Sequence, residues 1–172
     1  MEKKYKLTEE TLAVDGHVLH RIIALRDFGG VKKGDLGGFI EKESNLAHDW
    51  NCWIYNDAVV CGNAEVYGNA IVYGNAEVCG EAKVCGEAMV YGEAKVCGNA
   101  KVEKKSDYIV FKNWWSSGRY FTWTRSNDMW TVGCFYGTGE ELIKKAYADN
   151  EEKGREYERV VKYVESIKSE IK

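Results

Sequence analysis

Residues 51–104 decide the fold and, divided into sixes, read NCWIYN DAVVCG NAEVYG NAIVYG NAEVCG EAKVCG EAMVYG EAKVCG NAKVEK. These nine hexads follow one another without an inserted or missing residue, and the second to the eighth end in glycine. The second position is alanine in eight of the nine, and the fourth is valine in eight. A short fixed period indicates a solenoid, and six residues is a period of β-helices.

Each position of the hexad has a physical role in such a solenoid. Successive residues of a strand point to opposite faces, so the valine at position four is expected inside and positions three and five outside. Alanine at position two fits a tight interior corner. Glycine at position six supplies a turn conformation that side chains resist, and the asparagine at position one of several hexads tolerates it too.

The repeat resembles that of the hexapeptide-repeat proteins, which fold as left-handed parallel β-helices with three hexads per turn. The resemblance covers residues 51–104 and implies the left hand, which runs against the usual right-handed crossover. The fold class predicted is therefore mainly β. It comprises a left-handed parallel β-helix, an N-terminal β-hairpin cap, and a C-terminal antiparallel meander followed by two α-helices.

Three hexads per turn would stack residues that lie eighteen apart, at roughly 4.8 Å per turn. One face then carries apolar or aromatic side chains at all of its outward positions, whereas the other two faces are mixed or charged. An apolar patch of this size usually marks a contact surface. We expect it to be covered by the C-terminal part of the chain or by another subunit of a homo-oligomer, a dimer or a trimer. The alternative is a bare ladder in solvent. The residues of this predicted interface are Trp53, Tyr55, Ile71, Tyr73, Met89 and Tyr91.

Composition and targeting signals predict a cytoplasmic protein. Net charge is −3, and no segment is basic enough for non-specific nucleic-acid binding. The chain shows no secretory signal and no long apolar span, so no membrane association is expected. The six cysteines are expected to be reduced thiols. Cys61, Cys79 and Cys97 should form a column of small apolar fillers, since no histidine or Cys-x-x-Cys spacing accompanies them to hold a metal.

The chain divides into three predicted parts. Residues 1–44 form the hairpin cap, with its turn at Asp15-Gly16, and the entry loop. Residues 45–104 form the β-helix, and 45–50 are expected as an irregular first hexad in register with the other nine. Residues 105–172 form a meander over 107–136 and helices at about 139–148 and 151–171. Capping boxes are expected at Thr138 with Glu141 and at Asp149 with Glu152.

The flanks resemble those of hexapeptide-repeat proteins from phages and prophages. Two runs carry this resemblance, KGDLGGF at 33–39 and FTWTR at 121–125. It brings no catalytic residue with it.

An enzymatic alternative comes from the fold itself, because hexapeptide-repeat proteins include acyltransferases with a catalytic histidine beside the coils. Residues 51–104 contain no histidine and no looped-out insertion, and the three zinc-binding histidines of the carbonic-anhydrase relatives are missing. His17, His20 and His48 all precede the repeat. His48, at the entry, is the candidate base in an intersubunit cleft. No cofactor is predicted.

The main functional prediction is a non-catalytic oligomeric binding protein. Basic and aromatic residues alternate in the C-terminal meander, and such side chains bind phosphates and stack on bases. They would suit a small anionic, nucleotide-like ligand, such as a host-defence nucleotide, or a host protein. The alternatives are that these tryptophans are simply core residues, that the protein is the acyltransferase-like enzyme, or that it is a structural scaffold. The predicted ligand-binding residues are Lys112, Trp114, Trp115, Arg119, Tyr120, Trp123 and Arg125.

Overall fold

A computed structural model describes residues 2–113 and 117–171. The N-terminal strands are β1 (Tyr5–Val14), β2 (His17–Ala24) and β3 (Leu36–Ile40). Nine two-residue strands follow in the repeat: β4 (Trp53–Ile54), β5 (Val59–Val60), β6 (Glu65–Val66), β7 (Ile71–Val72), β8 (Glu77–Val78), β9 (Lys83–Val84), β10 (Met89–Val90), β11 (Lys95–Val96) and β12 (Lys101–Val102). The C-terminal elements are β13 (Tyr108–Lys112), β14 (Tyr120–Thr124), β15 (Met129–Val132), β16 (Phe135–Gly137), α1 (Gly139–Asp149) and α2 (Glu151–Ile167). No helix within the described ranges is both long and apolar enough to cross a membrane.

The nine hexads form a parallel β-solenoid with three hexads per turn, which confirms the predicted periodicity. Trp53 pairs with Ile71 and Ile71 with Met89, each step being eighteen residues. The strands stack as β4-β7-β10, β6-β9-β12 and β5-β8-β11, and β3 adds a rung above β5. All the position-two alanines and position-four valines of the repeat are buried. The apolar interior is therefore a set of aligned side-chain columns.

The entry into the solenoid differs from the register expected for residues 45–50. Ile40 pairs with Val60 and Leu46 with Val66, a separation of twenty residues in both cases. The first turn is thus displaced by two residues, because eight residues rather than six separate Leu46 from Ile54. The buried Asn45 amide holds this turn in place by donating to the carbonyls of Gly62 at 3.1 Å and Ala64 at 2.8 Å.

The N-terminal hairpin forms as predicted and caps the first turn. Asp15 and Gly16 have φ of 48° and 86°, the positive values that a tight two-residue hairpin turn requires. Strand β2 pairs with β3, so the hairpin extends the sheet that continues into β5. From β1, Tyr5 packs edge-on against Trp53 with ring centroids 6.2 Å apart. The cap therefore buries the first residue of the predicted apolar face.

The six interface residues line up on one face as predicted, but they are covered unequally. Trp53 is 1% exposed, whereas Tyr91 is 45% exposed. Tyr73 and Tyr91 stack with centroids 5.2 Å apart. At the far end, the Tyr108 hydroxyl donates to the Met89 carbonyl at 3.0 Å. The middle of this face stays partly open, so its role as a subunit interface remains a prediction.

The C-terminal sheet covers the end of the solenoid and, through Tyr108, only the Met89–Tyr91 end of its apolar face. Thr122 Oγ1 accepts from the Lys95 N–H at 3.0 Å, and Ser126 Oγ accepts from the Lys101 N–H at 2.6 Å. The opposite side of the sheet packs on the two helices and forms a second core. The buried members of that core are Phe121, Trp123, Trp130, Val132, Leu142, Ala146, Tyr157, Val161 and Val164.

The helix boundaries confirm one predicted cap and correct the other. Thr138 Oγ1 accepts from the Glu141 N–H at 3.2 Å, and Glu141 Oε2 accepts from the Thr138 N–H at 2.8 Å, which is the expected capping box. The second cap is Asn150, whose Oδ1 accepts from the Lys153 N–H at 2.8 Å. Asp149 instead belongs to the last turn of α1, and α2 ends at Ile167 rather than near residue 171.

The cysteine column forms as predicted, but its expected redox state is wrong at two positions. Cys79 and Cys97 are joined by a disulfide across neighbouring turns, with Cα atoms 4.7 Å apart. In-register stacking produces this spacing, which lies within the range that disulfides span. Cys61, Cys52 and Cys85 are buried free thiols.

Candidate functional site

His48 lies where the irregular first turn leaves Leu46 and approaches Trp53. Its ring stacks on Tyr5, with centroids 4.4 Å apart and planes inclined by 23°. The Lys4 backbone N–H donates to Nδ1 of His48 at 3.2 Å. Lys4 and Tyr5, at the start of β1, thus fix the ring, although they are more than forty positions away in sequence.

The surroundings of His48 favour the neutral imidazole. Burial is the largest cause that lowers its pKa, and the nearby Lys4 and Lys3 act in the same direction against Glu43 and Asp49. Because Nδ1 accepts the Lys4 N–H, the proton of the neutral ring lies on Nε2. Nε2 is buried and has no hydrogen-bond partner in the part of the chain that the structure describes. An unpaired buried donor costs about 1–3 kcal/mol, so a ligand that accepted from Nε2 would bind favourably.

The ammonium group of Lys4 is buried in the same region. Lys4 is 0% exposed, and its Nζ donates to the Cys52 carbonyl at 2.8 Å and lies 3.2 Å from Cys52 Sγ. Burial lowers the pKa of Lys4 and raises the pKa of the Cys52 thiol. The Tyr5 hydroxyl lies 2.9 and 2.8 Å from the Glu43 and Leu46 carbonyl oxygens, which holds the Tyr5 ring against His48.

A groove of about 370 Å³ opens beside His48 at the upper edge of β6. Its wall is mainly apolar, and Glu43 and Glu65 are the acidic residues among those that line it. The groove can therefore hold a short acyl chain next to an imidazole. Its lining residues are Glu43, Ser44, Leu46, Ala47, His48, Glu65, Val66 and Tyr67.

The structure separates most of the predicted ligand-binding residues. Trp123 is buried, and its Nε1 donates to Asp128 Oδ1 at 2.8 Å, so its ring is not open to a ligand. Arg119 lies on the helix side of the sheet, in a recess shared with Lys145 and Asp149.

Three other members of the predicted set, Lys112, Tyr120 and Arg125, are among the described residues. Arg125 lies 3.9 Å from Asp107 at the opposite end of β14. Trp114 and Trp115 lie outside the described residues. Of the described members, the structure brings together Lys112 and Tyr120, with Nζ 5.3 Å from the ring centroid.

Tyr120 belongs to a second recess, which we call the tyrosine cleft. It measures about 520 Å³ and lies between the last solenoid turn and the meander. Tyr91 and Tyr108 form its other aromatic walls, with ring centroids 6.4 Å apart. The sequence pattern predicts Tyr91 in a subunit interface and no role for Tyr108, because nothing in the local sequence links the two residues. The cleft is lined by Tyr91, Gly92, Glu93, Lys105, Tyr108, Val110 and Tyr120.

The six-residue repeat and the solenoid fit a hexapeptide-repeat protein. No protein-family model matches the chain. The chain is 42% identical over 71 residues to a curated protein of Escherichia coli (strain K12) described as the uncharacterized acetyltransferase YdcK. That similarity covers 36% of this chain and 22% of the relative, so the match spans about a fifth of the relative's length. The comparisons leave the phage origin a prediction.

Proposed function

We propose that the protein is an acyltransferase-like hexapeptide-repeat protein that places a thioester acyl group in the groove beside His48. The similarity to a protein described as an acetyltransferase favours this function over a non-catalytic one. The main structural support for this site is the unpaired Nε2 of the neutral His48 ring next to an apolar groove.

The hydrogen bond to Nδ1 defines what His48 could do. A proton on Nε2 can be donated to an acyl carbonyl oxygen, which would stabilise the negative charge that develops there during transfer. Action as a base needs the other tautomer, and therefore the loss of the Lys4 N–H contact. Because Nε2 is shielded from solvent, either role also needs the groove wall to open around the ring.

The proposed assembly is a homo-oligomer, a dimer or a trimer, formed through the open part of the apolar face. Ile71, Tyr73 and Met89 are only partly buried, and Tyr91 is exposed. A partner subunit would cover these rings and could complete the wall of the groove.

Acetyl-CoA turnover tests the proposal. Thiol release would be followed with aminosugar, polyamine and amino-acid acceptors for the wild type, His48→Gln and a matched His20→Gln. We expect His48→Gln to lower kcat/KM by roughly 100-fold or more, the effect typical of losing a proton donor or an oxyanion-binding group. His20, whose Nδ1 faces the Thr8 carbonyl in the hairpin, should be replaceable with little loss. Unchanged turnover in His48→Gln, or no turnover with any acceptor, would count against the proposal.

The tyrosine cleft supports a second candidate, a binding site for a nucleotide-like ligand such as a host-defence nucleotide. Three tyrosine rings offer faces for a base, and Lys105 and Lys112 offer charge for a phosphate. Neither lysine forms an ion pair within the described residues. The alternative is that residues 105–172 bind a host protein instead of a nucleotide.

Calorimetric titration with cyclic and linear nucleotides tests the second candidate. Stacking on one aromatic ring contributes about 1–3 kcal/mol, so Tyr120→Ala should weaken the dissociation constant by roughly 5- to 150-fold. Lys144→Ala, on the exposed side of α1, serves as the control. Flat heats across the whole panel would reject the nucleotide form of the candidate.

A further inference from the structure

Three cysteines occupy the same position on successive turns of one solenoid face. Cys61, Cys79 and Cys97 follow β5, β8 and β11, which stack in register. The Cys61 N–H donates to the Val78 carbonyl at 3.0 Å, and the Cys79 N–H donates to the Val96 carbonyl at 2.9 Å. Each cysteine therefore stands one rung from the next. Cys79, in the middle, can reach either neighbour.

We propose that the Cys61 thiol and the Cys79–Cys97 disulfide form an exchange relay along this column. The Cys61 thiolate attacks Sγ of Cys79, so a Cys61–Cys79 bond forms and the Cys79–Cys97 bond breaks. The electron pair of the broken bond leaves on Sγ of Cys97, which takes up the proton that Cys61 lost. One disulfide and one thiol are present before and after the step, so no external oxidant or reductant is required.

The stacking supplies the geometry for this step. The Cα atoms of Cys79 and Cys97 are 4.7 Å apart, and a parallel in-register ladder repeats that spacing between Cys61 and Cys79. A thiolate attacks one sulfur of a disulfide and the other sulfur leaves, and the in-register column puts Cys61 next to Cys79 on the side away from Cys97. Cys85 lacks a similar neighbour, because Tyr67 and Glu103 stand above and below it in its own column.

The surroundings of Cys61 keep the relay slow at neutral pH. The side chain is buried beneath the hairpin against Leu19, Phe39 and Val59. Burial, with smaller contributions from Glu41, Glu77 and Asp15, raises the pKa of the Cys61 thiol to about 11. His17 lies 3.0 Å from Glu41, and Lys95 lies 2.7 Å from Glu77, so both carboxylates are themselves paired. The resting arrangement is the Cys79–Cys97 bond that the structure contains.

Exchange would move the disulfide by one turn of the solenoid. In the resting arrangement the disulfide joins the two turns nearest the C-terminal sheet, where β11 contacts Thr122. After exchange it joins the two turns beneath the hairpin and leaves the Cys97 thiol free. Exchange at the Cys97 end of the column would thus change the covalent bonding at the hairpin end without any net oxidation or reduction.

Disulfide mapping of the full chain tests the relay. The protein would be equilibrated in a glutathione redox buffer, quenched in acid, blocked with N-ethylmaleimide and cleaved after acidic residues. Cuts after Glu65, Glu77 and Glu81 place Cys61, Cys79 and Cys97 on separate peptides. We expect the wild type to show mainly Cys79–Cys97 and a smaller fraction of Cys61–Cys79. Cys97→Ser should form Cys61–Cys79, Cys61→Ser should form Cys79–Cys97, and Cys85→Ser should match the wild type.

A kinetic arm tests the exchange itself. Wild-type protein with a preformed Cys79–Cys97 bond would be moved to pH 9 without redox buffer, and Cys61–Cys79 should appear together with an equal amount of Cys97 thiol. Constant pairing over many hours would overturn the relay. So would a Cys97→Ser variant that keeps Cys79 reduced while Cys61→Ser is fully oxidised. Cys97→Ala replaces Cys97→Ser should the serine prevent folding, and circular dichroism checks each variant.

Discussion

Replacing Val84 with aspartate is expected to unfold the protein at neutral pH. Val84 is 0% exposed and lies between Val66 and Val102 in an interior column that offers no polar partner. A buried unpaired carboxylate costs several kcal/mol, which is comparable to the 5–15 kcal/mol that typically holds a domain together. The free energy of unfolding from urea titration would measure the loss.

Lys83→Asp is the matched control, because the same change is made one residue earlier on the outward side of β9. Lys83 is exposed and lies 3.5 Å from Glu65, so the loss should stay within about 1 kcal/mol. Burial would raise the pKa of the carboxyl introduced by Val84→Asp above its unfolded value, so the folded state binds its proton more tightly and stability should partly return as pH falls. Equal stability of the two variants would show that position 84 does not face the interior.

Gly80→Ala is expected to destabilise the solenoid more than the same change at Gly92. Both glycines adopt the left-handed conformation, with φ of +69° and +68°, which costs a side chain about 1–2 kcal/mol. A Cβ at residue 80 would also lie 3.0 Å from the Gly98 nitrogen and 3.1 Å from its oxygen. That oxygen accepts the Glu81 N–H at 2.8 Å, so the neighbouring turn cannot move aside without weakening a rung.

Gly92 isolates the conformational cost, since a Cβ there meets nothing within 4 Å. We expect Gly92→Ala to lose about 1–2 kcal/mol, and Gly80→Ala roughly 1–3 kcal/mol more because of overpacking. Urea unfolding of both variants gives the difference directly. Equal losses would mean that successive turns do not approach as closely as the stacking of Gly80 on Gly98 requires.

The solenoid could be predicted from sequence because its structure repeats locally. The six-residue period fixes which side chains face inward, and three hexads per turn then places Trp53, Ile71 and Met89 on one face. The N-terminal entry could not be predicted in the same way. Its two-residue displacement depends on Asn45 donating to the carbonyls of Gly62 and Ala64, which lie in the following turn.

The candidate sites were harder to predict, because each joins distant segments. The tautomer of His48 depends on the backbone of Lys4, and the tyrosine cleft combines residues 91, 108 and 120. Composition correctly marked the meander as rich in aromatic and basic residues. It could not show that Trp123 would face the helices, since that depends on which side of the sheet α1 and α2 cover. Likewise, the spacing of the cysteines predicted their column but not the bond between Cys79 and Cys97.

The most direct test of the proposed function is the imidazole nitrogen NMR spectrum of ¹⁵N-histidine-labelled protein before and after addition of acetyl-CoA. His48→Gln would assign the His48 signals among the three histidines. The proposal predicts a neutral ring protonated on Nε2 at pH 7, whose Nε2 signal shifts on addition of acetyl-CoA while His17 and His20 stay unchanged. An unchanged His48 spectrum at saturating acetyl-CoA, or a ring protonated on Nδ1 in the free protein, would contradict it.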